Sequence, residues 1–207
     1  MPGTPIRNVR RCRIVSDATD HIGHLPRPWT ALFVGGPTTQ MRTSPPFWET
    51  QPDDWDKYFR TNLTGVMNCC HAAIPGMVKQ NKGRIVTIVS DAGRIGEARL
   101  VAYSAAKGGA NAFVRAIARE LGRYNITSNA ISLSTLDPPM EPAQKEAFMA
   151  SEQVKQQLAR YTIRRYGQPD DVAAMTLFLC SDAASWSGPR GGWSTTRPSA
   201  GWSTGRT

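Results

Sequence analysis

The sequence predicts an α/β fold, a parallel β-sheet flanked by helices. Two observations carry this expectation. Short β-branched runs alternate with longer stretches at helical spacing, and the clearest of those runs is apolar nearly throughout, as strands covered on both faces are. Residues 1–46 hold seven of the fifteen prolines. Little regular structure is expected there before the strand-like run Ala31-Leu-Phe-Val-Gly-Gly36. From Pro52 the pattern changes: Asp53 or Asp54 can cap a helix that runs through Trp55, Phe59, Leu63, Val66 and Met67, with acidic residues in the first turn where the helix dipole favours them. Lys82-Gly83 interrupts it, and Arg84-Ile-Val-Thr-Ile-Val89 reads as a central parallel strand.

After the loop Asp91–Gly96, Ala102–Leu121 reads as a second long helix whose small residues, among them Ala105, Gly108 and Gly109, permit close packing. Ile126–Ile131 is a further strand. Glu141–Tyr166 reads as helical and polar, and Pro169-Asp170-Asp171 opens a last helix through Val172, Met175, Leu177 and Leu179. Ser187–Thr207 is mostly Gly, Ser, Thr, Arg and Pro, with Trp-Ser-Thr at Trp193 and again at Trp202; this composition predicts an irregular or disordered tail. A chain of 207 residues suits one domain. Its expected organisation is an atypical, largely irregular segment over 1–46, the main α/β domain over 47–186 and the tail over 187–207.

The net charge of +9 is unevenly placed, with +4 in residues 1–46, +2 in 47–186 and +3 in 187–207. A nucleic-acid-binding protein usually spreads Lys and Arg along a folded face, so the nearly balanced middle argues against that function. No apolar run is long enough to span a bilayer, and mean hydropathy is −0.38. Cys12, Cys69, Cys70 and Cys180 show no paired spacing, so buried free thiols in a reducing cytoplasm are expected rather than disulfides. His21, His24 and His71 lack a convincing third ligand, and no metal site is expected. His21-Ile-Gly-His24 also matches a short synthetase signature, but Pro26 and Pro28 follow it and the partner lysine-rich motif is missing.

Tyr103 and Lys107 are four apart at the start of the second helix, so their side chains leave one face about one turn apart. Alone, that pair reads as readily as an aromatic ring packed over a lysine stem. Ser90 changes the balance. It follows the strand Arg84–Val89, at the carboxyl end of a central parallel strand where α/β folds bind ligands. Asn62 sits inside the first helix, a poor helix former with no obvious local need to be there.

These residues resemble the short-chain dehydrogenase/reductases, in the form with an upstream helix Asn, a Ser and a Tyr-x-x-x-Lys. The resemblance covers about Phe47 to Trp186. It rests on Thr61-Asn62-Leu63, Gly83–Ser90, Tyr103-Ser-Ala-Ala-Lys107-Gly-Gly109, Ile126-Thr-Ser-Asn-Ala130 and Gly167-Gln-Pro-Asp-Asp-Val172. It implies a Rossmann-like sheet and reversible NAD- or NADP-dependent oxidation of a secondary alcohol to a ketone in a small-molecule substrate, with a 3-oxoacyl or cyclic hydroxyacyl compound as a plausible class. Tyr103 would be the acid/base and would also contact the cofactor, and Lys107 would favour its phenolate and bind the nicotinamide ribose. Ser90 would orient the substrate oxygen, Asn62 would hold the lysine end of a proton relay through a water, and the region of Leu136 would line the nicotinamide pocket. Glu141–Tyr166 resembles a mobile lid. The helices around Trp55–Met77 and Tyr103–Leu121 would build a homodimer or homotetramer.

The sequence also departs from the family. The Thr-Gly-x-x-x-Gly-x-Gly turn that lets dinucleotide phosphates approach a helix N-terminus is missing. Only 46 residues precede Phe47, too few for three strands with their crossovers at about 30 residues per unit, so the sheet is expected to lack its first strands. Leu133-Ser134 stands where the family usually has Pro-Gly, which is expected to alter the turn beside the nicotinamide. Two alternatives therefore accompany the enzyme reading: a catalytically impaired family fragment without the dinucleotide cradle, and a basic nucleic-acid-binding protein.

Overall fold

A computed structural model describes residues 12–15, 31–34 and 45–188. Four strands, β1 (Cys12–Val15), β2 (Ala31–Val34), β3 (Gly83–Ser90) and β4 (Ile126–Leu133), form one sheet in the order β1-β2-β3-β4, and every neighbouring pair is parallel. The Rossmann-like arrangement expected from the alternation is present. Against the expectation of little regular structure before Ala31, Cys12–Val15 is a strand, paired residue for residue with β2 from Cys12 opposite Ala31 to Val15 opposite Val34. Pairing in the sheet overrides a weak local pattern of only four residues. The rest of 1–44, including His21 and His24, and the tail beyond Gly188 lie outside the described residues.

The helices cover both faces of the sheet. α1 (Pro52–Phe59) begins with Pro in its first turn and a reciprocal capping box. The cap is Gln51, two positions before the first of the expected aspartates, and Asp54 accepts from its backbone N–H at 2.9 Å. The helix continues through a π turn (Arg60–Thr64) into α2 (Gly65–Lys79). α3 (Ala92–Ile95) is a single turn after β3, within the segment expected to be a loop, and α4 (Val101–Leu121) is the long helix expected from the small-residue stretch. On one side of the sheet Ile85 and Ile126 pack with Val66, Cys69, Cys70, Ala73, Met77, Ile117 and Leu121 of α2 and α4. On the other, Val86 and Ile131 pack with Leu179 and Cys180 of α7 (Pro169–Cys180). β3 is therefore buried along nearly its whole length, which accounts for its unbroken apolar run.

Glu141–Tyr166 is not one helix. It divides at Ser151 into α5 (Pro142–Ala150) and α6 (Glu152–Ala159), and residues 160–166 are not helical. Ser151 explains the break: in extended conformation, its hydroxyl accepts the Val154 N–H of the new helix and donates to the Phe148 carbonyl of the old one. A second unexpected feature is Arg84, a buried guanidinium within β3. It donates to the carbonyls of Gly83, Asn125 and Ser181 and pairs with Asp182 at 3.3 Å. It thereby satisfies the carbonyl at the end of α7 and ties that helix to the starts of β3 and β4.

Candidate active site

Three of the four candidate catalytic residues meet at the carboxyl end of β3. Ser90 is the last residue of that strand, in register with Leu133 of β4. Its Oγ accepts the backbone N–H of Ala92 at 3.3 Å and is hydrogen-bonded to the Tyr103 hydroxyl. The strand end is fixed from β4 as well: Asp91 donates its N–H to the Leu133 carbonyl and accepts the Ser132 hydroxyl, both at 2.9 Å.

Tyr103 and Lys107 are both buried on α4, at 2% and 1% exposure. Lys107 donates to the Ile88 carbonyl at 3.1 Å, and its Nζ lies 5.8 Å from the centre of the Tyr103 ring. The close approach that permits this is made by glycine. A Cβ on Gly93 of α3 would fall 2.6 Å from the Lys107 carbonyl carbon and 2.7 Å from Gly108 N. Gly108 presents no side chain in return, so α3 rests directly on the backbone of α4 behind the tyrosine and lysine.

Burial dominates the electrostatics of the pair. The Tyr103 phenol is raised above its ordinary value of 10.0 by loss of hydration, and the bond from Ser90 pulls it only part of the way back. The family resemblance implies that Lys107 lowers it. Its amine is instead turned to the Ile88 carbonyl and is itself pushed down from 10.5 to about 8 by burial. In this arrangement the Tyr103 hydroxyl keeps its proton at neutral pH.

The lysine carries a stability signature. Below about pH 8 both the folded and the unfolded chain hold its proton; as pH rises toward 10.5 only the unfolded chain does, so the folded state gains in stability. From pH 7 to 9 that gain is expected to be about 1 kcal/mol, and Lys107→Met is expected to abolish it. Denaturant midpoints across this range check the prediction, and equal slopes in the two proteins contradict it. Cys70, raised by burial from 9.0 to about 12, and Cys69, raised for the same reason, act in the opposite direction as pH approaches 9, but equally in both proteins, so the difference between the two slopes isolates the lysine.

Asn62 lies in the π turn, 2% exposed, and its Oδ1 has no hydrogen-bond partner among the described residues. The helix is underwound there so that the Gly65 N–H reaches back five residues to the Arg60 carbonyl, a distortion that recurs at functional sites. The neighbouring Leu63 packs on α4 at Gly109, where a Cβ would lie 3.2 Å from its side chain. Asn62 is thus held against the helix that carries Tyr103 and Lys107, as a buried polar group without a described partner. An orphaned buried amide is expensive, and a bound water or polar ligand group is its natural complement.

Leu136, the remaining cofactor candidate, is 36% exposed beyond the end of β4 and bridges in parallel to Gly167. β4 itself continues through Leu133, because leucine, unlike the proline usual there, keeps a free φ. Ser134 and Thr135 are then captured by α6 and the residues after it: the Ser134 hydroxyl donates to Tyr161 Oη at 2.8 Å, and Tyr161 Oη and Gln157 Nε2 donate to Thr135 Oγ1 at 3.0 and 3.2 Å. Asp137 is pinned to Lys145 of α5 and to Gln168 before α7, and those two bonds hold its carboxyl below the ordinary range.

The end of the site that would receive a nicotinamide and its ribose fits such a group. It offers a buried amine, a tyrosine hydroxyl, an orphaned amide oxygen and a half-exposed leucine at one end of the sheet. Among the described residues no three His, Cys, Asp or Glu side chains gather as metal ligands, and no helix is long and apolar enough to cross a membrane. The described cysteines, Cys69, Cys70 and Cys180, are buried and free.

Sequence reasoning missed Tyr58 and Asp91. Tyr58 lies one turn before Asn62 on the same helix, and its ring meets that of Tyr103 edge to face with centroids 6.3 Å apart. The spacing of four to Asn62 was the available signal. Asp91 directly follows Ser90, but its bonds to β4 depend on the sheet register and leave no mark in the local sequence.

Comparison with known proteins agrees with this geometry. A family model described as enoyl-(acyl carrier protein) reductase matches residues 33–187. A 3-oxoacyl-[acyl-carrier-protein] reductase of Aquifex aeolicus is 34% identical over 134 residues, covering 64% of this chain and 52% of the relative. An acetoacetyl-CoA reductase of Shinella zoogloeoides is 36% identical over 140 residues, covering 68% of this chain and 56% of the relative. Among solved structures, a 3-oxoacyl-[acyl-carrier protein] reductase of Brucella melitensis superposes with a TM-score of 0.64 at 31% identity, over 77% of this chain and 59% of that one. The chain thus spans about half the length of the curated relatives it matches. With a family model matched over most of its length and the Ser90, Tyr103 and Lys107 side chains gathered at one strand end, the chain belongs to the short-chain dehydrogenase/reductase family.

Proposed function

We propose that the protein is an NAD(P)-dependent reductase that interconverts a ketone and a secondary alcohol, with Tyr103 as its acid. The observation that carries this reading is the protonated, buried Tyr103 hydroxyl bonded to Ser90, with the Lys107 amine beside its ring. When bound, a reduced nicotinamide supplies a hydride to the carbonyl carbon. The Tyr103 proton passes to the carbonyl oxygen as the negative charge develops there, so that the ketone becomes an alcohol. Ser90 donates to the same oxygen and fixes its position; this geometric restraint is supported by the hold of Ala92 and of β4 on the strand end. Lys107, charged at neutral pH despite its burial, lies 5.8 Å from the centre of the ring that carries the phenolate left behind.

The protonated form of the phenol, which burial keeps populated at neutral pH, is the form that the reducing direction needs. The names of the relatives from Aquifex aeolicus and Shinella zoogloeoides support a 3-oxoacyl thioester as the ketone. On the same reading the outer faces of α2 and α4, which leave Met67 and Val101 exposed, meet a second copy of the chain. The test of the activity is consumption of NADH or NADPH by the purified protein with acetoacetyl-CoA. Formation of one 3-hydroxyacyl product per cofactor oxidised is expected. No turnover of 3-oxoacyl thioesters with either cofactor overturns the proposal.

A further inference from the structure

We propose that Tyr58 is a positioning residue for Tyr103, holding its ring in place from the flank and keeping water from that side. The inference rests on Tyr103 as the acid of the proposed reaction. Its basis is a chain of contacts running from α1 to α4. Lys57 Nζ lies over the Tyr58 ring at 5.3 Å, the Tyr58 and Tyr103 rings meet at 72° with centroids 6.3 Å apart, and Lys107 Nζ lies 5.8 Å from the centre of the Tyr103 ring. Edge-to-face pairs at such separations are favourable beyond the area they bury, and a cation over a ring adds attraction.

The need for such a wall follows from the geometry of a tyrosine. Its hydroxyl lies on the axis of χ2, so flipping the ring leaves the oxygen in place, whereas a swing about χ1 carries the oxygen away from Ser90. A neighbour against the flank of the ring limits that swing. Tyr58 and Tyr103 also share the wall of a cavity of about 250 Å³, with Phe47, Trp55, Arg99 and Leu100 among its other lining residues. Without the Tyr58 ring this cavity would extend along Tyr103, and water entering it would hydrate a phenol that is otherwise buried.

The charged and titratable groups around Tyr103 are few. Lys107 lies on its own helix, Lys57 and Asp54 come from α1, and Arg99 lies in the loop before α4. The Asp54 carboxylate accepts the Gln51 N–H at the cap of α1. Of these groups, the Lys107 amine is the one whose contact with the Tyr103 ring is direct.

The test is a pH titration of the protein labelled with ¹³Cζ-tyrosine, read beside steady-state kinetics. There are five tyrosines, and the Tyr103 signal is assigned by its loss in Tyr103→Phe. Tyr58→Phe keeps the ring and is expected to preserve both the Tyr103 midpoint and kcat. Tyr58→Ala is expected to move the midpoint down toward the ordinary value of 10.0 and to lower kcat about tenfold with KM nearly unchanged, since it misplaces the acid without touching substrate contacts. Should Tyr58→Ala not fold, Tyr58→Leu fills part of the space without the ring edge and is expected to shift both quantities in the same direction. An unaltered Tyr103 midpoint in a folded Ala or Leu variant, shown by unchanged Tyr124, Tyr161 and Tyr166 signals, overturns the proposal. Absence of turnover in the wild type would overturn the reductase reading instead, and the titration would still decide the role of Tyr58.

Discussion

Tyr103→Phe is expected to lower kcat by about 10²–10⁴-fold, the usual contribution of a positioned acid, while leaving nicotinamide binding within about twofold. The substitution removes one oxygen. The phenyl ring keeps its place against Tyr58 and near the Lys107 amine, so the fold has no reason to change. What is lost is the proton donor for the carbonyl oxygen and the partner of the Ser90 hydroxyl. The pH profile carries a second sign of the same group. Because burial raises the phenol, reductase activity limited by the acid should persist to alkaline pH and fall only above pH 10, as the proton to be given is lost. Steady-state kinetics of both proteins check the prediction; a variant within about threefold of wild-type kcat would remove Tyr103 from the chemistry.

Gly93→Ala should have the largest effect on folding. The added methyl would lie 2.6–2.7 Å from three atoms of Lys107 and Gly108, two of them backbone. A flexible side chain could move aside, but here the whole turn α3 or the helix α4 must shift. Overpacking of this kind costs about 3 kcal/mol at the upper end of its usual range. The shift would also reach the site, because α3 follows Ser90 by two residues and rests on α4 at Lys107. Gly76→Ala in α2 is the control: nothing lies within 4 Å of its Cβ, and alanine in a helix interior gains up to about 1 kcal/mol over glycine. Chemical denaturation should therefore move the two variants in opposite directions. Similar midpoints for both would show that the α3–α4 contact is looser than the backbone distances indicate.

The parts of this structure that could be read from the sequence are those decided by short-range pattern. The apolar run Arg84–Val89, the small-residue helix around Tyr103 and the Pro-Asp-Asp opening of α7 each carry their own signal, and all three lie where expected. Ser90, Tyr103 and Lys107 were legible because strand order places the end of β3 beside the start of α4. What stayed hidden depends on partners distant in sequence. Cys12–Val15 is a strand because β2 pairs with it. Arg84 reads as an apolar-run residue until Asp182 and the Ser181 carbonyl arrive from the far end of α7. Ser151 divides the stretch Glu141–Tyr166 through its own hydroxyl, a local device that the polar composition of the stretch concealed. The direction of the Tyr103 shift could not be read from Tyr-x-x-x-Lys either, since the motif gives the proximity of a lysine but not its burial or its bond to Ile88.

The proposed function requires that this chain, which spans about half the length of the curated relatives it matches, hold a nicotinamide cofactor through Lys107, beside Tyr103. Fluorescence titration of the purified protein with NADH and with NADPH tests it most directly. The account predicts saturable binding of at least one of them, weakened by Lys107→Met and unaffected by Tyr103→Phe. Binding of neither at millimolar concentration would contradict it.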